Sequence, residues 1–416
     1  MADFRFLHAA DIHLDSPLRG LEADPSAPAE LIRAATRLAL GRMVDLAIEE
    51  RVAFVIIAGD VYDGDWPHFG TGQYFATQMR RLTQNAIPVF MVHGNHDAVN
   101  RMTRSLRMPH ITIFDHKRAQ TAPLLDALGV AIHGQSFADQ AVTVDLSKDY
   151  PGRFEGLFNI GVLHTSAGGY SAHATYAPCD IPGLRAKRYD YWALGHVHER
   201  QILSEDPWIV FPGNLQGRHI GETGPKGVSL VTVVDSRVQS VEHRVLDVLR
   251  WSHIEVDLDG AADESDAMVR VQSGLEIALR DAGARPLAAR VTLTGATNAH
   301  AALLAEGLRE KILNEAQGLT GEHNFWLEAV KLRTSPVQAV ALPERSDNLG
   351  RLLREIDALA ATPPPDLLGD WPATLLGKVR EGLPEGHALR HCADGDLSAI
   401  MEQARQRLEA ALADRN

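Results

Sequence analysis

With 416 residues, 45% of them hydrophobic, the chain can bury a full core and form two or three domains, and no apolar run approaches the roughly 18 residues of a membrane span. The net charge of -13 argues against a broad basic nucleic-acid face, yet residues 1–250 hold only -4 of it, 24 Lys and Arg against 28 Asp and Glu, which two bound divalent cations would offset. The two cysteines, Cys179 and Cys392, are too few for a disulfide framework and lack zinc-knuckle spacing, so any metal must be held by oxygen and nitrogen.

Met1-Ala2-Asp3 leads into the strand-like FRFLHAA with no signal-peptide pattern, which makes the cytoplasm the expected compartment and a membrane partner unexpected. Apolar runs and breakers then predict strands near 4–10, 53–58, 88–92, 111–114, 130–133, 158–163 and 191–194, with helices over 29–50 and 69–84. This is an α/β layer. After Gly195 short β-rich runs follow at 200–203, 208–211, 227–234 and 238–246, and the first domain is expected to span 1–249. A β-α-β-α-β pattern comes next, with strands at 252–258, 288–294 and 324–332 and helices at 263–281 and 299–316, giving a small α+β domain over 250–335. Ser335-Pro336 and Leu342-Pro343 mark a boundary, and helices near 346–360, 371–382 and 396–413 make 336–416 a helical C-terminal region.

Five of the strands end in metal-binding chemistry. FRFLHAA runs into Asp11-Ile12-His13, AFVIIAG into Asp60 with Asp63 beyond it, IPVFMVH into Gly94-Asn95-His96-Asp97, FNIGVL into His164, and YDYWAL into Gly195-His196-Val197-His198. In a wound sheet the carboxyl ends of neighbouring strands open onto one crevice, so these groups converge despite their separation in sequence. In DxH and GHxH the two side chains are two residues apart, which an extended backbone presents on one side. Carboxylate, imidazole and amide donors without thiolate suit Mn, Fe or Zn, and they exceed what a single ion needs; two ions sharing Asp60 is the economical arrangement for displacement at phosphorus. A lone DxH or a lone His is usually an ordinary surface or core feature; it is the five together that point to a dinuclear phosphoesterase site.

The set resembles the calcineurin-like metallophosphoesterase superfamily, whose pattern is DxH, GDxxD, GNHD, H and GHxH in that order. The resemblance implies stacked mixed β-sheets flanked by helices. It also implies that Asp11, His13, Asp60 and His198 hold one ion and Asp60, Asn95, His164 and His196 the other. His96 would then be the imidazole beside the leaving group, and Asp97 the carboxylate that orients it. The longer stretches HAADIHLDSPL, YAPCD, YDYWALGHVHER and PGNLQGRHIGETGPKG are similar to the YhaO branch of the SbcD-type DNA repair exonucleases, over residues 1 to about 245. RPLAARVTLTG is more weakly similar to their capping domain. Membership of that branch implies Mn2+-dependent cleavage of DNA phosphodiesters and a partner ATPase of the SMC-like coiled-coil type, YhaN-like here. A homodimer is left open.

Two basic features bear on the substrate independently. Arg101, Arg104 and Arg107 recur at spacing three after GNHD, a track for flanking phosphates or else a solvated helix face. Arg218, with Lys226, lies in a Gly-rich loop that is either a second phosphate contact or a tight turn between strands. In the C-terminal region Leu349, Leu352, Leu353 and Ile356, and then Leu397, Ile400, Met401 and Ala404, form amphipathic stripes that either pack on each other or dock the ATPase. The competing function is a phosphodiesterase or phosphatase for a small nucleotide or other phosphoester, which the net acidity suits at least as well.

Overall fold

Alternate residues of the first strand, Phe4–Ala9 (β1), face two different cores, because successive side chains on a strand point to opposite faces of a sheet. Phe4 and Phe6 join Phe54, Ile56, Phe90, Phe158, Ile160 and Tyr191 in one buried cluster, while Leu7 and Ala9 join Val55, Ile57, Val89 and Met91 in another. The structure is a computed structural model that describes residues 3–16, 29–63, 70–98, 111–122, 128–167, 177–305, 307–320, 325–337, 351, 354, 355 and 358.

Two six-stranded mixed sheets account for this double burial. Strands β1, Phe54–Ala58 (β2), Val89–Val92 (β3) and Ile111–Ile113 (β4) run parallel in the first. In the second, a short Gln120–Thr121 (β5) pairs antiparallel with Val130–Gly134 (β6), which continues in parallel to Phe158–His164 (β7) and Tyr191–Gly195 (β8). The antiparallel pair Gln201–Glu205 (β9) and Trp208–Phe211 (β10) extends that sheet through a parallel β8–β10 contact. Gly227–Val234 (β11) and Arg237–Val245 (β12) then return to the first sheet, β11 lying antiparallel to β1. The orders are β12-β11-β1-β2-β3-β4 and β5-β6-β7-β8-β10-β9.

The aromatic cluster lies between the sheets. Phe6 and Phe54 stack at 5.0 Å between centroids, and Tyr191 meets Phe6 edge-on at 5.2 Å. Fully burying one such ring contributes about 1.5–3 kcal/mol. On the far side of the first sheet, Ala29–Glu49 (α1) turns Ala39, Leu40, Met43, Val44 and Ala47 inward at helical spacing, and Gly70–Gln84 (α2) adds Phe75, Met79 and Leu82. Leu163, Trp192, Leu194 and Phe211 form a third cluster on the outer face of the second sheet, together with Tyr150 and Leu184. Gly161 is required there, since a Cβ would lie 2.3 Å from the Trp192 ring.

Residues beyond 249 form Arg250–Asp257 (β13), Glu264–Ala282 (α5), Leu287–Ala296 (β14), His300–Leu303 (α6), Leu308–Thr320 (α7) and Phe325–Ser335 (β15), with α3 and α4 being the short helices Asn95–Ala98 and Ile181–Ala186 earlier in the chain. The strands pair in the order β13-β14-β15. Backbone bonds from Arg250 to Pro286 and from Leu258 to Thr294 keep a constant offset, so β13 and β14 are parallel. The single helix expected over 299–316 is two, because the chain passes through Gly307 at φ 93°, outside the helical region. Among the described residues one compact unit comprises those up to 253 with 281–289 and 325–328, and a second comprises those of 254–280, 290–320 and 329 onward. The apolar residues of the C-terminal stripes, Leu349, Leu352, Leu353 and Ile356 and then Leu397, Ile400, Met401 and Ala404, lie outside the described residues.

Candidate metal centre

The metal-binding strand ends come from both sheets, β1, β2 and β3 from the first and β7 and β8 from the second. The stacked mixed sheets that the resemblance implied are present, and the crevice lies where the carboxyl edges of both meet, not along one wound sheet as expected from the strand ends. Three sets of side chains each bring their donor atoms within 4.8 Å of one another: Asp11, His13 and His198; Asp11, Asp60 and His164; and His13, Asp60 and His96. Asn95 Oδ1 is 3.0 Å from His164 Nε2, and the His196 ring lies 5.3 Å from that of His164. All seven expected ligands are therefore at one place.

The backbone there is bent hard. Asp11, His13 and Asp60 have φ of 51°, 45° and 51°, and His196 has φ of 103°, a region costing non-glycine residues of order 1 kcal/mol or more each. The glycines serve mainly another purpose. A Cβ on Gly94 would lie 2.3 Å from Asp60 Oδ1, and one on Gly195 would lie 1.9 Å from the Ala58 carbonyl. Gly59 alone combines both needs, with φ of 95° and a Cβ position 2.5 Å from His164 Nδ1.

The donor set fits cations. His164 Nδ1 donates to the Ala58 carbonyl at 2.9 Å, which leaves the Nε2 lone pair of the neutral ring facing Asn95 Oδ1 and, at 3.4 Å, Asp60 Oδ2. Three electron-pair donors thus face one another with no hydrogen donor among them, an arrangement that needs a proton or a metal ion. Without an ion the proton is the substitute: burial alone would lower His164, but Asp60 and then Asp11 pull it up to about 9. Burial raises Asp11, whereas Asp60 is held low by His164 against the effect of burial.

The likeness to known proteins agrees with this geometry. The model for calcineurin-like phosphoesterases matches residues 4–200, and that for the middle domain of the metallophosphoesterase YhaO matches 251–335. A Bacillus subtilis protein described as an uncharacterized metallophosphoesterase, YhaO, is 29% identical over 408 residues, 97% of either chain. The chain belongs to the calcineurin-like metallophosphoesterases, in the YhaO family. This metallophosphoesterase is more distantly similar to the DNA double-strand break repair protein Mre11 of Methanopyrus kandleri, 23% identical over 68% of this chain and 66% of that one. A dimetal phosphatase from Danio rerio aligns at 14% identity with a TM-score of 0.36, covering 58% of this chain and 97% of its own.

Within the metallophosphoesterase site the carboxylates divide their work differently from the sequence expectation. Asp97 does not orient His96. Its carboxylate accepts from the backbone N–H groups of Val61, Tyr62 and Gly94 at 3.0–3.2 Å, tying the loop after β2 to the end of β3. Burial, and then Asp60, push it up to about 7. The partner of the His96 ring is Asp63, whose Oδ1 is 3.0 Å from Nδ1 and whose Oδ2 accepts from Ser16 Oγ. Hydrogen bonding to His13 and His96 holds Asp63 low, and Asp63 in turn raises His96. Asp63 was legible as the last residue of GDxxD, but its role depends on a contact between two loops.

Of the two basic expectations the described residues bear on one, the Gly-rich loop. Arg101, Arg104 and Arg107 lie outside the described residues. Arg218 is largely buried, with its guanidinium on Glu222, and Lys226 Nζ donates to the His198 carbonyl at 2.8 Å. Glu222 and Asn214, which the sequence reading missed, carry no local signal: each is one polar residue in a glycine-rich loop.

Proposed function

We propose that this metallophosphoesterase is a Mn2+-dependent nuclease subunit that hydrolyses DNA phosphodiester bonds, working in DNA repair with an SMC-like coiled-coil ATPase. The observation that carries the reading is the coincidence of His and Asp clusters fit for two ions with similarity to Mre11 that extends over 310 residues, well past the 197 of the phosphoesterase match. When bound, two divalent cations supply Lewis acidity to the phosphoryl oxygens and an activated water.

The chain's own part follows from the side chains. Asp11, Asp60 and the buried imidazoles would hold the cations, in a pocket where backbone N–H groups already orient the two carboxylates, so little reorganisation would be needed. His96 is the site's half-exposed edge, 36% accessible at its side chain. With Nδ1 on Asp63, its Nε2 is left for a proton directed at the departing alkoxide, and the raised pKa suits an acid.

Incubating the purified protein and Mn2+ with linear duplex, circular single-stranded DNA and a chromogenic phosphodiester tests the reading. Metal-dependent loss of the linear duplex, abolished in Asp60→Ala, is the expected result. Hydrolysis of the small ester with both DNA substrates untouched would favour the competing reading, a phosphodiesterase or phosphatase for small phosphoesters, to which the charge of -13 lends support.

A further inference from the structure

The loop between β10 and β11 brings a carboxylate to the back of one metal ligand. Glu222 is 5% exposed at its side chain, and its Oε1 is 2.8 Å from His198 Nδ1. Both its oxygens already face N–H donors, Oε2 those of Asn214 and the Arg218 backbone and Oε1 that of the Arg218 guanidinium, so towards His198 the carboxylate accepts. The imidazole proton is therefore on Nδ1, and Nε2 is turned towards Asp11 and His13, 3.7 Å and 3.2 Å away.

Glu222 is itself held on every side. Oε2 accepts from Asn214 Nδ2 at 2.9 Å and from the Arg218 backbone N–H at 2.7 Å, and Arg218 donates a side-chain N–H to Oε1 at 2.7 Å. The same guanidinium comes within 3.2 Å of His198 Nδ1 and, through Nη1, within 3.7 Å of Asp63 Oδ2. Arg218 thereby stands between two carboxylates, one behind the ligand His198 and the other behind His96. A plain structural ion pair would need neither imidazole.

We propose that Glu222 is a positioning residue that fixes the tautomer and orientation of His198 for metal binding, and that Arg218 clamps Glu222 in place instead of binding substrate. The proposal rests on the two-ion reading of the site. It makes an asymmetric claim, since His164, one of the imidazoles expected at the other ion, is oriented by the Ala58 carbonyl and not by this loop.

Titration of the metal-free protein with Mn2+ by calorimetry, alongside Mn2+ electron paramagnetic resonance, reads this without any substrate. Wild type is expected to take up two ions per chain with a spin-coupled signal. Glu222→Ala is expected to weaken one equivalent by about 10–100-fold, leave the other within about threefold, and give an uncoupled signal at intermediate metal. If Glu222→Ala does not fold, the isosteric Glu222→Gln carries the test, with a smaller loss at the same single equivalent, because an amide oxygen still accepts from Nδ1 but no longer attracts Arg218. Wild type binding fewer than two ions would overturn the two-ion reading and this proposal with it. Two ions in wild type, with both retained at wild-type affinity or both weakened equally in the variant, would overturn the positioning role alone.

Discussion

Asp60 and His96 are linked by a single hydrogen bond, the His96 backbone N–H on Asp60 Oδ1 at 3.0 Å, yet their substitutions are expected to part company. Asp60 has donors expected of each ion within reach, His13 of one and His164 of the other, so Asp60→Ala is expected to abolish both metal occupancy and hydrolysis. His96→Ala should keep both ions and lose about 10²–10⁴ in turnover, the usual contribution of a positioned general acid. Metal analysis beside kinetics checks both. Asp63 sharpens the point, because it raises the His96 pKa. A group that acts while protonated loses activity as pH rises through its pKa. Asp63→Asn removes the charge that raises it, so the alkaline limb of the kcat profile is expected to move to lower pH; an unmoved limb would mean that another group sets it.

At the level of strands, the turn after each one is as constrained as the ligand it carries. Gly94 has an ordinary φ, so Gly94→Ala imposes no backbone strain, but its methyl would displace the Asp60 carboxylate. Loss of Mn2+ with little change in the far-ultraviolet spectrum is the expected outcome. Between the sheets, His8 on β1 bonds Tyr191 Oη through Nδ1 and the Leu194 carbonyl through Nε2, both on β8. Burial keeps this ring neutral by lowering its pKa from 6.5 to about 3. The unfolded chain binds a proton below 6.5 that the folded chain refuses down to about 3, so stability is complete above 6.5 and falls with pH through that window. Between pH 7 and 5 the loss from His8 is about 2 kcal/mol, readable in denaturant titrations as a steeper pH dependence than that of His8→Gln.

Over the whole molecule the candidate ligands precede residue 200 and the match to the YhaO middle domain ends at 335, which makes the boundary expected at Leu342-Pro343 a natural place to cut. A chain stopped at 342 is expected to retain its metals and its turnover of a small phosphodiester. If the stripes beyond it dock a coiled-coil ATPase, that chain will lose co-purification with the partner and any ATP-dependent stimulation of DNA cleavage. If they cover the core instead, it will aggregate or melt at lower temperature. A soluble, active truncation that still binds the ATPase normally would sink the docking assignment.

What the sequence determined by itself was which candidate donors stand at the strand ends and the order of the elements that carry them. Asp11, His13, Asp60, Asn95, His164, His196 and His198 were legible because metal chemistry restricts residue type and each follows an apolar strand, so local pattern and global placement coincide. The phosphoesterase reading followed from that coincidence. Tertiary structure decided what depends on distances between loops. Two sheets share the crevice, because a run of parallel strands does not say where one sheet ends and another begins. Asp63 orients His96 while Asp97 binds three backbone N–H groups, and Glu222 reaches His198 across 24 residues, since hydrogen-bond partners are chosen by position in space. Arg218 looked in sequence like any basic loop residue available to phosphate, and only the folded chain shows its charge already engaged by a buried carboxylate.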